Sequence, residues 1–258
     1  LEDRCCHRAT PLRLGNVVPE GLRCGYHGLV FDGTGQCVSI PGQDTIPRTA
    51  KVRGYPILER QEIVWIWMGD PALADESKLQ VDFPWNDDHE NWPHIHDMYE
   101  INCNYMLLID NLMDLTHIPY IHRNTIGGGD QKGQVNATMD VTDTATGVHY
   151  IRWMEAILPP PTYVKGAGFA EGELVDRWQE FEYVVPSTVV QWTGALEAGR
   201  NAKENRMQAG GFNLRLYHGA TPKTDDSCYY FWTPLNGYKP KDADRKSTRL
   251  NSSHTSIS

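Results

Sequence analysis

Cys5-Cys6-His7-Arg8 and, with sixteen residues between His7 and Cys24, Cys24-Gly25-Tyr26-His27-Gly28-Leu29 are the stretches on which the reading of this chain turns. Each offers one thiol and one imidazole at the short spacing of a metal-binding loop, C-x-H in the first and C-x-x-H in the second. Two loops that each donate one Cys and one His set the two sulfurs side by side and the two rings side by side. A two-iron, two-sulfide cluster with two cysteines on one iron and two histidines on the other needs that donor set. Neutral imidazoles carry less negative charge than thiolates, so such a cluster accepts an electron more readily. Zinc also takes two Cys and two His, and four packing residues are the blandest alternative. Cys6, Cys37, Cys103 and Cys228 have no histidine at ligand spacing and are expected to be small buried hydrophobes.

Around these loops the first third of the chain reads as short strands and turns. Leu22-Arg23-Cys24 and Leu29-Val30-Phe31 are brief apolar stretches, and Asp32-Gly33-Thr34-Gly35 before Cys37-Val38-Ser39-Ile40 is a hairpin signal. Pro56 to Leu58 and Ile63 to Met68 form a second hairpin closed at Arg60-Gln61-Glu62. Residues 1–70 are therefore expected to be a small all-β domain, and the polar, Pro-, Asp- and Trp-rich residues 71–100 a connection.

From Asn104 to Ile121 the period becomes helical, with Tyr105, Leu108, Leu112 and Leu115 in register. This segment carries Asp114-Leu115-Thr116-His117-Ile118-Pro119-Tyr120-Ile121-His122. Asp114 and His117, at i and i+3, are expected to share a helix face. On an unbroken helix His117 and His122 would diverge by about 140°. Pro119 interrupts the run, so the second ring can swing back toward the first. Two histidines and a carboxylate on one face of an iron leave positions open for dioxygen and substrate. After Gly127-Gly128-Gly129, read as a flexible segment and a candidate lid hinge, alternation returns at 135–141, 148–154, 181–185, 189–193, 212–217 and 229–232. Residues 101–245 are thus expected to be an α+β unit with a curved, largely antiparallel sheet.

Taken together, the Cys/His loops with their flanking His7-Arg8, Tyr26-His27-Gly28-Leu29 and Phe31-Asp32, and the D-x-x-H-x4-H pattern of Asp114, His117 and His122, resemble the oxygenase subunits of Rieske non-heme iron oxygenases over about residues 1–240. The resemblance implies a Rieske [2Fe-2S] cluster on Cys5, His7, Cys24 and His27, and a mononuclear Fe(II) on His117 and His122. Asp114 then becomes the carboxylate that holds His117 and links the iron to the cluster of a neighbouring subunit, and Asn111 a polar group near the iron. It also implies electrons from NAD(P)H through a separate reductase or ferredoxin, and a homotrimer. The family's third iron ligand is a late carboxylate. Asp242 and Asp244 lie in a polar loop, so that ligand is expected to be absent from this chain. Asp110 to His122 and Gly42-Gln43-Asp44 resemble most the vanillate and dicamba O-demethylases, with ring hydroxylation of another aromatic substrate left open. A Rieske electron carrier and a zinc-stabilised binding protein are the alternatives. A carrier has no use for the second histidine motif.

Composition narrows the classes further. The net charge of −9 over 258 residues argues against a general nucleic-acid binder. No apolar run approaches the roughly 18 residues of a membrane helix. Six cysteines are too few for a disulfide scaffold, and Cys5 and Cys24 sit beside histidines at metal-like spacing, which suggests a reducing, cytoplasmic compartment. No dinucleotide fingerprint is present, and the glycine triplet lacks the Lys-Ser/Thr of a phosphate loop. His89, His94 and His96 are read as a surface or interface stretch, and Trp153, Trp192, Phe212, Tyr217, Tyr230 and Phe231 as strand aromatics, a third of them lining a pocket. Leu1 opens straight into a motif, so the chain is expected to lack both natural ends. Residues 246–258, with five serines and no aromatic, are read as a foreign or disordered tail.

Overall fold

The computed structural model describes residues 1–207 and 210–237. The tail and the polar stretch with Asp242 and Asp244 lie outside the described residues. The chain divides into two compact units between Leu79 and Gln80.

The first unit contains a four-stranded antiparallel sheet of β1 (Asn16–Val18), β2 (Gly21–Arg23), β3 (Val30–Phe31) and β4 (Cys37–Ser39), in that order. A separate hairpin joins β5 (Ile57–Arg60) to β6 (Ile63–Ile66). Its turn is closed by Gln61 and Glu62, both at positive φ (56° and 59°), the geometry a two-residue hairpin turn demands. Asp32 organises the β3–β4 turn: its carboxylate accepts from the Thr34 amide and hydroxyl at 2.9 and 2.6 Å and from the Gln36 amide at 3.1 Å. The core is Cys5, Leu12, Cys24, Leu29, Phe31, Cys37 and Val52.

The second unit is built on a seven-stranded antiparallel sheet. In chain order its strands are β7 (Asp97–Ile101), β8 (Thr138–Thr144), β9 (Gly147–Ile157), β10 (Val175–Val184), β11 (Thr188–Glu197), β12 (Phe212–Thr224) and β13 (Ser227–Asn236). In space they run β7-β13-β12-β11-β10-β9-β8. The six strands β8 to β13 therefore meander, each pairing with its neighbour in sequence. Only β7 crosses the sequence, pairing Ile101 with Cys228. The helices are α1 (Tyr105–Met113), α2 (Ile118–Ile121), α3 (Gln131–Val135), α4 (Pro161–Ala167) and α5 (Ala202–Asn205). Leu108 and Ile109 of α1, with Leu115 and Ile118, bury against Tyr150, Phe181, Val189 and Ala220 of the sheet. The opposite sheet face is covered in part by the 83–92 segment. There the Arg215 guanidinium lies between Trp85 (3.6 Å) and Trp192 (4.1 Å), and burial lowers its pKa to about 10. No helix among the described residues is long and apolar enough to cross a membrane.

Three expectations need correction. The helix from Asn104 does not run to Pro119: it stops at Met113, because the Asp114 side chain offers the backbone a competing acceptor. The 135–141 segment is not one strand, since Asp130 caps a helix through Val135 and β8 begins only at Thr138. Cys37 and Cys228 are buried as expected, but Cys6 is exposed and Cys103 half-buried.

Candidate metal centres and substrate cavity

The two Cys/His loops have the same backbone plan. The Cys5 amide donates to the Thr10 carbonyl at 2.9 Å, and the Cys24 amide to that of Leu29 at 2.8 Å. Cys5 and Cys24 are 3% and 2% exposed, whereas His7 and His27 are exposed. Burial, with the Cys24 thiol alongside, pushes the Cys5 thiol up. The two imidazoles meet edge to face with ring centres 4.6 Å apart. Sulfurs inward and rings outward fit a cluster whose cysteine-held iron is enclosed and whose histidine-held iron reaches the surface.

The second centre sits between the helical segment and the sheet. Asp114 has extended geometry (φ −93°, ψ 103°), ending α1 and opening the next turn. Its carboxylate accepts from the Thr116 amide at 2.8 Å and the Thr116 hydroxyl at 2.6 Å. These bonds, the hydroxyl first, hold Asp114 below the usual carboxylate range, and His117 and Arg152 add charge attraction. Asp114 thus caps the turn that carries His117 rather than sharing a continuous helix face with it. Pro119 occupies the first turn of α2, where its missing amide costs nothing. His122 ends that helix, and its ring centre lies 5.3 Å from that of His117. Both rings are half-buried, while Asp114 is exposed.

The glycine run fixes this turn. The Gly127 amide donates to the His122 carbonyl at 2.9 Å, and a Cβ on Gly127 would stand 1.8 Å from the Ile118 carbonyl oxygen. Gln134, 2% exposed, donates to the Gly127 carbonyl at 2.7 Å and to that of Gly128 at 3.2 Å. The triplet is a close-packed crossing, not a flexible hinge. Tyr150 ties the end of α1 to the sheet through its hydroxyl, which donates to the Met113 carbonyl at 2.9 Å; burial raises its pKa.

His117 and His122 line a cavity of about 200 Å³ whose floor is the sheet. Leu112, Leu115 and Ile118 face it from the helical side, and Phe181, Leu216 and Trp232 from the strands. Sequence reading assigned no role to several of its polar residues, among them His218, Gln191, Arg177 and Gln179. His218 bonds the Tyr230 hydroxyl through Nδ1 at 2.7 Å and the Gln191 amide oxygen through Nε2 at 3.1 Å. Gln179 gives its amide oxygen to Arg152 at 3.1 Å. Arg177 and Gln179 are i and i+2 on β10, but Trp178 between them is also buried. A strand buried on both faces has no polar alternation to betray its site residues. Of the six strand aromatics, only Tyr230 lines the cavity; Trp153 and Trp192 pack with Arg206. Of the histidine-rich segment, His89 and His94 stack at 4.4 Å and His96 bonds the Thr233 hydroxyl.

A buried Cys pair under an exposed His pair in one unit, with a two-histidine cavity between helix and antiparallel sheet in the other, is the arrangement of a Rieske-type oxygenase. Residues 1–56 match the Rieske [2Fe-2S] domain family, and residues 101–254 match the vanillate O-demethylase oxygenase C-terminal domain family. The chain is 37% identical over 94% of its length to a vanillate O-demethylase oxygenase subunit from a Pseudomonas species, and 36% identical over 94% to the putative toluene-4-sulfonate monooxygenase system iron-sulfur subunit TsaM2 of Comamonas testosteroni. It superposes on crystalline dicamba monooxygenase bound to dicamba with a TM-score of 0.80, at 32% identity over 92% of the chain. It spans 72%, 69% and 66% of the lengths of these three proteins. The chain belongs to the family of vanillate O-demethylase-type Rieske oxygenase subunits, oxidoreductases that use a Rieske cluster and a non-heme iron.

Proposed function

We propose that the first unit carries the cluster, with Cys5 and Cys24 on one iron and His7 and His27 on the other, and that the second is the catalytic domain, with His117 and His122 on the mononuclear iron. When bound, the cluster supplies electrons and the mononuclear iron activates dioxygen. The observation that carries this reading is the pair of half-buried imidazoles, 5.3 Å apart, in the wall of a largely apolar cavity.

The chain's own residues define the rest. Leu112, Leu115, Ile118 and Phe181 exclude water from the space beside the histidines and receive an aromatic ring. Asp114 positions the His117 turn through Thr116. Its exposure leaves it free to meet a neighbouring subunit, and the exposed His7 and His27 rings are the surface such a neighbour would approach. On this reading the protein is a homotrimer in which each cluster serves the next subunit's iron. NAD(P)H electrons arrive through a separate reductase or ferredoxin. The oxygenase removes a methyl group from an aryl methyl ether or hydroxylates a related aromatic acid, consistent with the substrates named in its relatives. Six free cysteines favour a reducing cytoplasm.

Electron paramagnetic resonance of the anaerobic, dithionite-reduced protein tests this directly. A rhombic signal of low average g is expected from mixed Cys/His ligation. Added nitric oxide should then reveal a separate high-spin ferrous site that disappears in His117→Ala. A colourless, zinc-containing protein would end the reading. A cluster without the second site, in protein that also supplies the family's late carboxylate ligand, would leave an electron carrier.

A further inference from the structure

Among the described residues, the wall of the His117–His122 cavity contains one permanently charged side chain, Arg177, and no carboxylate. Arg177 is 1% exposed. Its Nη2 donates to the Ile126 carbonyl at 3.0 Å, and the guanidinium lies 4.8 Å over the Tyr163 ring. Nε and Nη1 have no hydrogen-bond partner among the described residues. A guanidinium does not shed its charge inside a protein, so a buried one calls for an anion. No described side chain supplies it. Arg152 adds a second positive charge close by. Its Nη2 is committed to the Gln134 carbonyl at 2.7 Å and its Nη1 to the Gln179 oxygen. Because arginine only donates, that bond fixes the Gln179 amide with its oxygen toward Arg152 and leaves the NH2 end as the donor. Arg177 and Gln179, two residues apart on β10, stand roughly 6.6 Å apart along the strand, on the face that looks into the cavity.

We propose that Arg177 is the specificity-determining anchor for an oxyanion, carboxylate or sulfonate, carried on the aromatic ring of the substrate, with Gln179 as the accompanying donor. Charge-assisted bonds to the guanidinium fix one end of the ring and so fix which part of it lies beside His117 and His122. The inference rests on the cavity being the substrate site, but not on the iron.

Binding therefore tests it without turnover. Isothermal titration of the purified protein with 3-methoxybenzoate, 3-methoxybenzenesulfonate and neutral 3-methoxybenzamide should show at least one anion bound roughly tenfold or more tighter than the amide. The tighter anion names the natural group. Arg177→Gln should remove most of that preference while amide binding and cluster absorption are unchanged, and Arg177→Lys should restore part of it. Equal binding of anions and amide by the native protein would overturn the assignment, as would an Arg177→Gln protein that keeps the preference. Should Arg177→Gln fail to fold, the native comparison and Gln179→Leu, expected to weaken anion binding alone, still decide. Anion selectivity in a protein that carries the late carboxylate ligand yet gives no nitric oxide signal would sink the oxygenase reading and leave this one standing.

Discussion

Ala9 and Gly28 hold equivalent places in the two metal loops. Each has a positive φ, 57° and 74°, and each donates its amide to the carbonyl of the cysteine four residues earlier, at 2.9 Å to Cys5 and 3.1 Å to Cys24. The loops are backbone copies of one another, which is how two cysteines far apart in sequence come to lie side by side. The left-handed geometry costs an L-residue about 1–2 kcal/mol. Gly28→Ala, whose Cβ would also lie 3.0 Å from Pro41 Cγ, should lower stability by about that amount. Ala9→Gly should be neutral or stabilising by less than about 1 kcal/mol. Thermal melts followed at the visible cluster band separate the two.

His27→Ala should abolish the rhombic signal of the reduced protein. The ring is exposed and adds little to the core of the first unit, so far-ultraviolet circular dichroism should change less than the visible spectrum. A normal cluster spectrum in this variant would assign the ligand elsewhere.

Asp114→Asn keeps an oxygen for the Thr116 amide and removes the charge. The turn should survive with a loss of no more than about 1 kcal/mol. Both metals should stay bound, and single-turnover oxidation of the reduced cluster should slow by at least tenfold in an assembled trimer. Unchanged kinetics would confine Asp114 to capping.

Gly127→Ala puts a methyl group 1.8 Å from the Ile118 carbonyl oxygen. Overpacking of this kind costs about 1–3 kcal/mol or more. It should weaken mononuclear iron binding before it touches the cluster, because the displaced segment carries His122. Gly33→Ala, which meets nothing within 4 Å, is the matched control. Equal iron content in both variants would show that the crossing does not set the His122 geometry.

Tyr150→Phe leaves the Met113 carbonyl without its 2.9 Å partner. A loss of about 1–3 kcal/mol is expected, read as a lower melting temperature of the second unit with the cluster spectrum unchanged.

The two Cys/His loops and a β unit ahead of an α+β unit were legible in the sequence alone. Cys5, His7, Cys24 and His27 lie within 23 residues, and ligand spacing in a loop is a local property that needs no packing to be legible. The antiparallel character of the second unit's sheet was legible in the same way, because each strand of β8 to β13 pairs with its sequence neighbour, but the pairing order itself was not read. Tertiary structure alone decided three things. Asp114 caps a turn because its side chain competes successfully for the Thr116 amide, an outcome helical periodicity does not record. The glycine triplet became a rigid crossing because the Ile118 carbonyl passes against it. Arg177 entered the cavity because β10 is buried on both faces, and only the register with β9 and β11 determines which side each residue serves.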